Sequence, residues 1–498
     1  MKFAHIEQLE KRKKTDGFVL PYWKDNQKTQ PAFTYKKGWP SIVDEALASG
    51  DFRGNEGETL FFYVEDQPEK RFCLLGLGTK EKMTVEGLRR CYGGLTKNCL
   101  SKRLKSLNLV IPEIKNIKEE KIIKGIAEGL FLPNYLFNRH KSLEPEEQKE
   151  TLLQSVTWIG SFPHTLEIAN EVMTICEAVH YTRDLINENA DVVTPQYLAV
   201  SAQDMASKHP AIKTTIFDKK RIEKEALGLL LAVNRGSALD PAFIIMEYRG
   251  NPKSSDKTVL IGKGVTYDTG GLNLKPTGSM ETMKCDMSGA AVCLGTMLAV
   301  CQLKVKVNLT VVIPTTENGI DAKSFKPGDV YRSYLGKTVE MTNSDAEGRL
   351  ILADALAYAV KNLQPTRLID IATLTGAIEV ALGSEAAGIM SQSDELAQAL
   401  TQAGNETFER VWRMPLFDEY KERLKSDIAD MKSWNGRSAG ANVAAYFLRL
   451  FVPDSIPWAH IDIAGTAYVS EAKKYQPKYA TGYGVRLLLE FLQNLPQP

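Results

Sequence analysis

Two carboxylates stand two residues apart in the stretch TNSDAEGRLILADALAYA, residues 342–359. In an extended segment the side chains of Asp345 and Glu347 would lie on the same side of the chain. A nearly all-apolar helix is predicted to begin at Leu350, and a helix that is apolar all round must be buried. Carboxylates held at an interior site without compensation are costly. Metal ions are their usual compensation, so this stretch predicts a metal site.

Arg349 lies at the start of the same predicted helix. The helix dipole disfavours a cation at this end, whereas an arginine together with free helix N–H groups makes a site for an anion. The pattern therefore indicates carboxylates that hold metal on one side and a bound anion on the other. Taken alone, residues 345–349 are equally compatible with an exposed ion-pair turn that precedes a core helix.

A second stretch, IGKGVTYDTGGLNLK at residues 261–275, carries further groups that could do chemistry. A buried strand is predicted to run into a Gly-rich turn that contains Lys263, Asp268 and Lys275. A phosphate-binding loop is an alternative for such a turn. The pattern GxxxxGK followed by Ser or Thr is absent, however, which makes this alternative weak.

A third stretch, METMKCDMSGAA at residues 280–291, places Asp286 just before a predicted helix that Ser288 could cap. The chain has only six histidines and no HExxH pair, so a metal site here would be rich in carboxylates. Such ligands favour harder or borderline cations such as Mn²⁺, Mg²⁺ or Zn²⁺. His460, in PWAHIDIAG, is predicted to be a histidine of a core strand and not a ligand.

These stretches lie in a chain of 498 residues, long enough for two to four domains of about 150 residues each. With 43% hydrophobic and 25% charged residues, the composition is that of a globular protein and excludes disorder as the dominant state. The formal net charge of +1 gives no whole-protein reason to expect nucleic acid or a membrane as partner.

The chain also predicts a cytoplasmic location. Its first residues show no apolar region after their charges, as a secretory signal would, and no run approaches 18 apolar residues. The seven cysteines form no CxxC pair and mostly have apolar neighbours. Reduced core thiols are the expected state.

Strands and helices are predicted to alternate along the chain, which indicates an α/β protein. The predicted elements of the first part are strands at 59–65, 72–78 and 107–112 and a helix at 85–100. The charged segment LEPEEQKE, residues 143–150, is predicted to close this part, and a long helix at 165–187 follows it. The second part is predicted to contain helices near 288–302 and 350–362 and the strands TTIFD, LGLLLAV, AFIIMEY, KTVLIGKG, VNLTVVIP and RLIDIATL. Several of these strands are apolar throughout, as is typical of parallel strands covered on both faces.

The stretches with chemical potential resemble motifs of the leucyl aminopeptidase family of dinuclear metallopeptidases. TNSDAEGRL is similar to that family's NTDAEGRL signature, and the other two stretches are similar to its remaining metal-binding segments. The resemblance covers essentially all of 165–498 and is weaker in the N-terminal part, at LLGLGTKEKMTVEGLRR. It continues through further segments, RDLINENADVVTP, ATLTGA, WRMPL, KSDIADM and PWAHIDIAG. Two departures are Ser344, where the family has Thr, and Asn189, where it has Pro; neither puts a catalytic residue in doubt.

The resemblance implies a fold and a domain arrangement. A smaller, macro-like N-terminal α/β domain would occupy residues 1–160, with a linking helix at 161–190. A larger catalytic α/β domain with a central mixed, largely parallel sheet would follow at 191–498. The family also suggests a homohexamer with its active sites facing an interior cavity.

The resemblance further implies a role for each site residue. The metal ligands would be Lys263, Asp268, Asp286, Asp345 and Glu347. Lys275 would stabilise an oxyanion, and Arg349 would hold a bicarbonate that acts as general base. The residues implied to line the pocket for the first side chain are Met283, Thr373, Gly376, Ala464 and Ala467.

The function implied is that of a cytosolic metallo-aminopeptidase, a hydrolase with two Mn²⁺ or Zn²⁺ ions per subunit that favours N-terminal leucine. Another two-metal hydrolase, such as a phosphoesterase with phosphate at Arg349, is an alternative that a Lys263 ligand argues against. A DNA-binding or structural role is a second alternative, since some members of the family bind DNA and some relatives have lost their ligands. All seven implied metal-binding and catalytic residues are present here, and the near-neutral charge does not favour DNA.

Overall fold

The computed structural model describes residues 1–24, 29–34, 40–142 and 152–496. The segment 143–150, predicted to close the first part of the chain, lies outside these residues. The chain divides into two compact units, Met1–Glu177 with Glu471–Pro477 and Ala178–Ser470 with Lys478–Pro498. The long helix α4, Thr165–Asn187, begins in the first unit and ends in the second.

The first unit is built around a mixed sheet whose strands run in the order β1-β7-β6-β2-β5-β4, with β3 paired to β2. The pairs from β1 to β5 are parallel, whereas β4 and β3 run antiparallel to their neighbours. The strands are β1 Lys2–Ile6, β2 Gly17–Trp23, β3 Gln30–Pro31, β4 Thr59–Tyr63, β5 Arg71–Gly76, β6 Ser106–Val110 and β7 Ser155–Ile159, and the helices are α1 Ser41–Ser49, α2 Val85–Ser101 and α3 Glu119–Phe131. The strands and the helix predicted for this part are confirmed to within a few residues.

The second unit is built around a larger mixed sheet in the order β17-β16-β19-β15-β10-β12-β9-β8, with β11 paired to β12. The central neighbours β19, β15, β10 and β12 are all parallel. The strands of this sheet are β8 Ile212–Phe217, β9 Ala242–Arg249, β10 Thr258–Gly262, β11 Gly264–Asp268, β12 Asn308–Asn318, β15 Arg367–Ala372, β16 Ala387–Ser391, β17 Val411–Arg413 and β19 Trp458–Asp462. A mixed, largely parallel sheet in the larger part of the chain is therefore confirmed.

Short strands and helices complete the second unit. The remaining strands are β13 Val330–Arg332, β14 Thr338–Glu340, β18 Met431–Lys432, β20 Tyr468–Val469 and β21 Tyr479–Ala480. The helices are α5 Pro195–Lys208, α6 Lys219–Glu225, α7 Gly228–Asn234, α8 Ser288–Gln302, α9 Glu347–Leu363, α10 Gly376–Leu382, α11 Asp394–Thr407, α12 Glu419–Glu422, α13 Gly440–Arg449 and α14 Val485–Gln493.

The central strands and the two helices that follow the candidate stretches form the core of this unit. Every residue of β10 and β19 is buried, as expected for strands covered on both faces. Helix α9 is buried from Glu347 to Ala359. The stretch Met283–Gln302, which includes α8, is long and apolar enough to cross a membrane by length and composition, but 89% of its apolar window is buried inside the protein. That degree of burial is typical of a core helix.

One predicted strand is wrong: LGLLLAV forms helix α7. A short, wholly apolar run does not distinguish a buried strand from a buried helix by its pattern. The deciding contact comes from distant sequence, because Asp354 Oδ2 on α9 accepts the backbone N–H groups of Leu229 at 2.8 Å and of Leu230 at 3.1 Å. These donors lie in the first turn of α7, where a helix leaves its N–H groups without internal partners.

Candidate metal centre

The candidate site lies where neighbouring parallel strands of the second unit end. Lys263 directly follows β10, and Thr373 directly follows β15. Asn318 is the last residue of β12, and Asp462 is the last residue of β19. Because these four strands are parallel, their carboxyl ends meet at one edge of the sheet, the usual location of a binding site in an α/β fold.

Lys263 is 3% exposed and makes three contacts through its ammonium group. Its Nζ lies 2.8 Å from Asp286 Oδ1, 2.9 Å from Glu347 Oε1 and 2.8 Å from the carbonyl oxygen of Thr373. Burial lowers the pKa of Lys263, but the surrounding carboxylates outweigh burial and raise it above its usual range. The ammonium group is therefore charged in this arrangement.

Lys275 joins the other two acidic residues. Its Nζ lies 2.8 Å from Asp268 Oδ2 and 2.6 Å from Asp345 Oδ1. Burial lowers the pKa of Lys275, but Asp268 and Glu347 raise it further, so this side chain also carries a firm positive charge. Each lysine thus bridges two acidic side chains that come from different segments.

The four acidic side chains, Asp268, Asp286, Asp345 and Glu347, form what we call the carboxylate cluster. One oxygen from each of Asp268, Asp286 and Glu347 lies within 4.8 Å of the other two, and all three residues are buried. Asp345 is less enclosed, with 34% of its side chain exposed. Four carboxylates face two ammonium groups, which leaves two negative charges of the cluster without a lysine to balance them.

The pKa values in the cluster reflect this imbalance. Burial, followed by the nearby Glu347, raises the pKa of Asp268 to about 6. Burial also raises the pKa of Asp286 well above its usual range, against the effect of Lys263. The pKa of Glu347 is lowered instead, because Lys263 and Lys275 together outweigh its burial. Like charges held this close disfavour full ionisation unless a further cation is present.

Two buried oxygens of the cluster have no hydrogen-bond partner in the described structure. They are Asp286 Oδ2 and Glu347 Oε2. An unpartnered carboxylate oxygen in a protein interior is costly. Hard oxygen donors with unused lone pairs and excess negative charge are the groups that a divalent cation binds. The residues present therefore fit a metal centre.

The predicted extended geometry of Asp345 and Glu347 is wrong. Residues Ser344–Ala346 form a 3₁₀ turn, and α9 begins at Glu347, three residues earlier than predicted. The two carboxylates nevertheless reach the same cluster, because the turn directs one to Lys275 and the other to Lys263. A Cβ at Gly348 would lie 2.5 Å from Lys263 Cε, so a side chain at this position would displace the end of Lys263.

The Gly-rich loop after β11 is fastened to this turn. Ser344 Oγ donates to the carbonyl of Gly270 at 2.7 Å, and it accepts the backbone N–H of Asn273 at 2.7 Å. Asn273 Oδ1 in turn accepts the backbone N–H of Ser344 at 2.8 Å. Gly270 has a φ of +86°, and a side chain there would also collide with Asp345 Oδ1 at 2.9 Å. These contacts hold the loop that carries Lys275. They use the hydroxyl group, which Ser344 has in common with the threonine that the family has at this position.

Asp286 lies on a short 3₁₀ helix, Met283–Met287, which runs directly into α8. The predicted capping role of Ser288 is wrong. Its hydroxyl donates to the carbonyl of Cys285 at 2.5 Å, and it is the first residue of α8 and not its cap. The backbone N–H of Ala290, in the first turn of α8, has its acceptor outside the helix. It donates to the carbonyl of Lys263 at 2.9 Å.

Arg349 lies in the first turn of α9 and is 5% exposed. One of its terminal nitrogens donates to the carbonyl of Ser433 at 3.0 Å. Its Nε is buried and has no partner in the described structure. Burial lowers the pKa of Arg349 to about 10, against the raising effect of Glu347 and Asp462, which still leaves it charged at neutral pH. An unused N–H of a buried guanidinium is a donor available to an anion.

The residues predicted to line a side-chain pocket are placed as follows. Thr373 Oγ1 donates to Asp286 Oδ1 at 2.8 Å, which brings Thr373 directly to the cluster. Met283 opens the 3₁₀ helix that carries Asp286. Gly376 begins α10 and faces open space. The N–H of Ala464 donates at 3.2 Å to Asp462 Oδ1, whereas Ala467 is 2% exposed.

Two polar groups near the site were not identified from the sequence. Asp462 Oδ1 accepts the N–H of Leu374 at 3.0 Å, and its Oδ2 accepts the hydroxyl of Thr375 at 2.7 Å, so it organises the end of β15. Asn318 contacts Asp268. Both residues end strands of the parallel sheet, and that position is the signal that could have found them.

The predicted core roles of His460 and the cysteines are confirmed. His460 is fully buried on β19, where its Nδ1 lies 2.5 Å from Asp370 Oδ1. All seven cysteines, each within the described residues, are buried thiols.

Two domains of one family match this chain. The catalytic domain of the cytosol aminopeptidase family matches residues 180–489, and the N-terminal domain of the same family matches residues 19–144.

The chain is also similar to curated proteins and solved structures along nearly its whole length. A probable cytosol aminopeptidase of Protochlamydia amoebophila is 64% identical over 495 residues and covers 99% of each chain. One from Chlamydia abortus is 46% identical and covers 97% of each chain. The bottromycin maturation enzyme BotP superposes with a TM-score of 0.85 at 27% identity, covering 97% of this chain and 99% of that one. A structure of BotP in complex with Mn matches with the same TM-score at 28% identity.

Proposed function

The chain belongs to the cytosol aminopeptidase family and is an aminopeptidase, a hydrolase that acts on peptides, and we propose that it works with two divalent metal ions. The observation that carries this proposal is the carboxylate cluster, with its excess negative charge and the two unpartnered buried oxygens of Asp286 and Glu347. A phosphoesterase, the alternative among two-metal hydrolases, is not favoured by membership of a peptidase family.

The ligands proposed are Lys263, Asp268, Asp286, Asp345 and Glu347. Asp268 and Glu347 would be shared between the two ions, as the family resemblance implies. When bound, the ions would supply an activated water and polarise the carbonyl of the scissile bond. Mn²⁺ and Zn²⁺ are the ions proposed, and the related enzyme BotP has been solved with Mn.

Lys263 has to give up its proton to serve as a ligand. The pKa of this side chain is above its usual range here, because Asp286 and Glu347 hold the ammonium group. Ligands bind in their deprotonated form, so metal uptake releases a proton and depends on pH. Asp286 and Glu347, which now face the ammonium group, would hold a dication once Lys263 is neutral, and its charge would balance both carboxylates.

Lys275 is proposed to keep its proton and to stabilise the oxyanion of the tetrahedral intermediate. Its raised pKa and its position between Asp268 and Asp345 support a permanently charged, fixed donor. A preorganised donor of this kind acts on charge that develops in the transition state.

Arg349 is proposed to hold an anion, with bicarbonate as the candidate. The buried, unpartnered Nε supports this role. So does the first turn of α9, where N–H groups and the helix dipole favour negative charge. A bicarbonate held there would accept a proton from the attacking water, as the family resemblance implies.

Specificity for a free N-terminus is proposed to involve Asp286, which would receive the substrate's α-amine. The residues proposed to surround the first side chain are Met283, Thr373, Gly376, Ala464 and Ala467. All are small or apolar, so leucine is the favoured first residue. An acidic first residue would be poor, because these residues offer no partner to a buried carboxylate.

Location, assembly and domain limits are proposed on family grounds. Relatives named cytosol aminopeptidases support a cytoplasmic location, and the resemblance supports a homohexamer. The proposed domain limits are residues 1–160 for the N-terminal domain, 161–190 for the linking helix and 191–498 for the catalytic domain. A DNA-binding role has no support from the net charge of +1.

The test is hydrolysis of leucine p-nitroanilide after exhaustive chelation and re-addition of metal. We expect chelation to abolish hydrolysis and Mn²⁺ or Zn²⁺ to restore it. N-acetyl-leucine p-nitroanilide should be inert, and the Glu substrate should be poor. The variant Ala467→Trp should suppress cleavage after Leu more than cleavage after Ala. Comparable kcat/KM for Leu, Glu and acetyl-Leu substrates would refute the proposed pocket.

A further inference from the structure

Asn318 is fully buried at the end of β12 and contacts two segments that carry acidic residues of the cluster. Its Cα is paired in register with that of Asp268 on β11. Its side-chain Nδ2 donates to Asp268 Oδ1 at 2.8 Å and to the carbonyl of Ser344 at 3.0 Å. Ser344 directly precedes Asp345. One amide group therefore uses both of its hydrogens to join these two segments.

The hydrogen bond from Asn318 fixes which oxygen of the Asp268 carboxylate faces the carboxylate cluster. Asp268 Oδ1 also accepts the backbone N–H of Gly270 at 2.9 Å. With two N–H donors on Oδ1, the oxygen that faces the rest of the site is Oδ2, which lies 2.8 Å from Lys275 Nζ. Removal of the amide would leave the N–H of Gly270 as the one remaining donor to Oδ1 among those described, so the orientation of the Asp268 carboxylate would be less firmly fixed.

The oxygen of the same amide shows what fixes its orientation. Asn318 Oδ1 is buried and has no hydrogen-bond partner in the described structure. Rotating the amide by half a turn would place this oxygen against the Asp268 carboxylate and the Ser344 carbonyl, which are both acceptors. In this orientation the two amide N–H groups bond to both neighbouring acceptors, while the amide oxygen is left without a donor. This pattern is expected of a group whose orientation is set by a functional site and not by packing.

We propose that Asn318 is a positioning residue for the metal centre, which holds Asp268 and the turn before Asp345 in their binding geometry without touching substrate. The inference rests on the proposed two-metal function. Groups that orient metal ligands from behind typically affect metal affinity or activity by about 10–100-fold.

The chain offers a matched control on the same strand. Asn308, the first residue of β12, donates through Nδ2 to the carbonyls of Asn251, Ser254 and Asp256 at 2.8–3.0 Å. It is the same residue type with a comparable set of bonds at the opposite end of the strand, away from the carboxylate cluster. Its loss should affect stability but not the metal.

The experiment compares three substitutions with this control in the full chain. Asn318→Ala removes the amide, Asn318→Leu keeps the branched heavy-atom skeleton of the side chain without a donor, and Asn318→Ser retains one donor. Affinity for Mn²⁺ is measured by competition with a chromophoric chelator, Tm is measured without metal, and kcat and KM are measured at saturating Mn²⁺. We expect the Ala and Leu variants to bind Mn²⁺ about 10–100-fold more weakly, the Ser variant to lie between, and Asn308→Ala to bind as wild type.

At saturating Mn²⁺ the Asn318 variants should lose kcat while KM changes by less than about threefold. Mn²⁺ affinity within about twofold of wild type in a folded Asn318 variant would overturn the assignment. So would failure of all three variants to fold while Asn308→Ala folds, since the role would then be structural. A wild-type chain that binds no Mn²⁺ in the same titration would instead contradict the two-metal function.

Discussion

Two buried groups of charges in the second unit differ in how completely they are satisfied. Glu409 and Arg486 are 3% and 4% exposed and form one ion pair, with Arg486 Nε 3.1 Å from Glu409 Oε1. Glu409 Oε2 accepts the N–H groups of Gly484 and Leu487, both at 2.9 Å, at the start of α14. Each oxygen of the Glu409 carboxylate therefore has a partner.

The carboxylate cluster has the opposite character. Four anions share two lysines, and Asp286 Oδ2 and Glu347 Oε2 have no partner. Buried charges that only support the fold are expected to be paired and hydrogen-bonded. The pair at Glu409 meets that expectation and the cluster does not, a difference that supports the proposed binding of metal ions at the cluster.

The largest expected effect comes from an amide placed in the cluster. Asp286→Asn keeps the shape of the side chain but removes a proposed ligand, so kcat/KM for leucine p-nitroanilide should fall by about 10³-fold or more. Without metal, its Tm should equal or exceed that of wild type, because one repulsive charge is gone. A large fall in the Tm of Asp286→Asn without metal would show that Asp286 supports the fold, as Glu409 does, and would contradict the difference between the two groups.

The same chemical change at the satisfied pair should have the reverse outcome. Glu409→Gln removes the buried carboxylate charge that faces Arg486 Nε, and breaking a buried ion pair typically costs about 3–5 kcal/mol of unfolding free energy. Denaturant unfolding measures this loss, and kcat/KM of the folded fraction should stay close to wild type. If Glu409→Gln did not change the free energy of unfolding, the presence of hydrogen-bond partners would not distinguish the Glu409–Arg486 pair from the carboxylate cluster.

Lys275→Ala tests whether a lysine of the cluster acts on the reaction. Loss of one preorganised donor to an oxyanion typically costs about 10²–10³ in rate. We expect this loss in kcat, with metal content retained, as seen by steady-state kinetics beside elemental analysis. A change in KM alone would show that Lys275 binds substrate and does not stabilise the transition state.

Arg349→Ala should have the smallest effect of these changes, about tenfold in kcat, because it removes only a support for the proposed base. Added bicarbonate should restore part of the rate, because a higher concentration refills the weakened anion site. Rate measurements in bicarbonate-depleted buffer provide the control. No response to bicarbonate in either wild type or variant would contradict an anion at this position.

Much of the fold could be predicted because its signals are local. The apolar strands β10, β12 and β15 and the buried helices α8 and α9 follow from runs and periodicity that short windows contain. Helix α7 could not be predicted, because the carboxylate of Asp354 that accepts its first N–H groups lies more than 100 residues away. A short apolar run without its partner has no unique structure.

The acidic residues of the site were predictable for a similar reason. Asp345 and Glu347 stand next to an apolar helix, which indicated a compensating charge, and the motifs at 261–275 and 280–291 favoured a metal site over an exposed ion-pair turn. Their geometry was not predictable, since the 3₁₀ turn at Ser344–Ala346 depends on bonds to Asn273 and Gly270. Asn318 was not identified as a site residue from the sequence. An asparagine at the end of a strand has the same local sequence pattern as an ordinary turn residue.

The proposed function requires that the unsatisfied charges of the cluster bind two divalent ions. The most direct measurement is the number of Mn²⁺ or Zn²⁺ ions per chain, by elemental analysis after metal loading and dialysis, for wild type, Asp286→Asn and Glu409→Gln. We expect two ions per chain for wild type and for Glu409→Gln, and at most one for Asp286→Asn. Full activity in a wild-type preparation shown to be free of metal would contradict the proposed function.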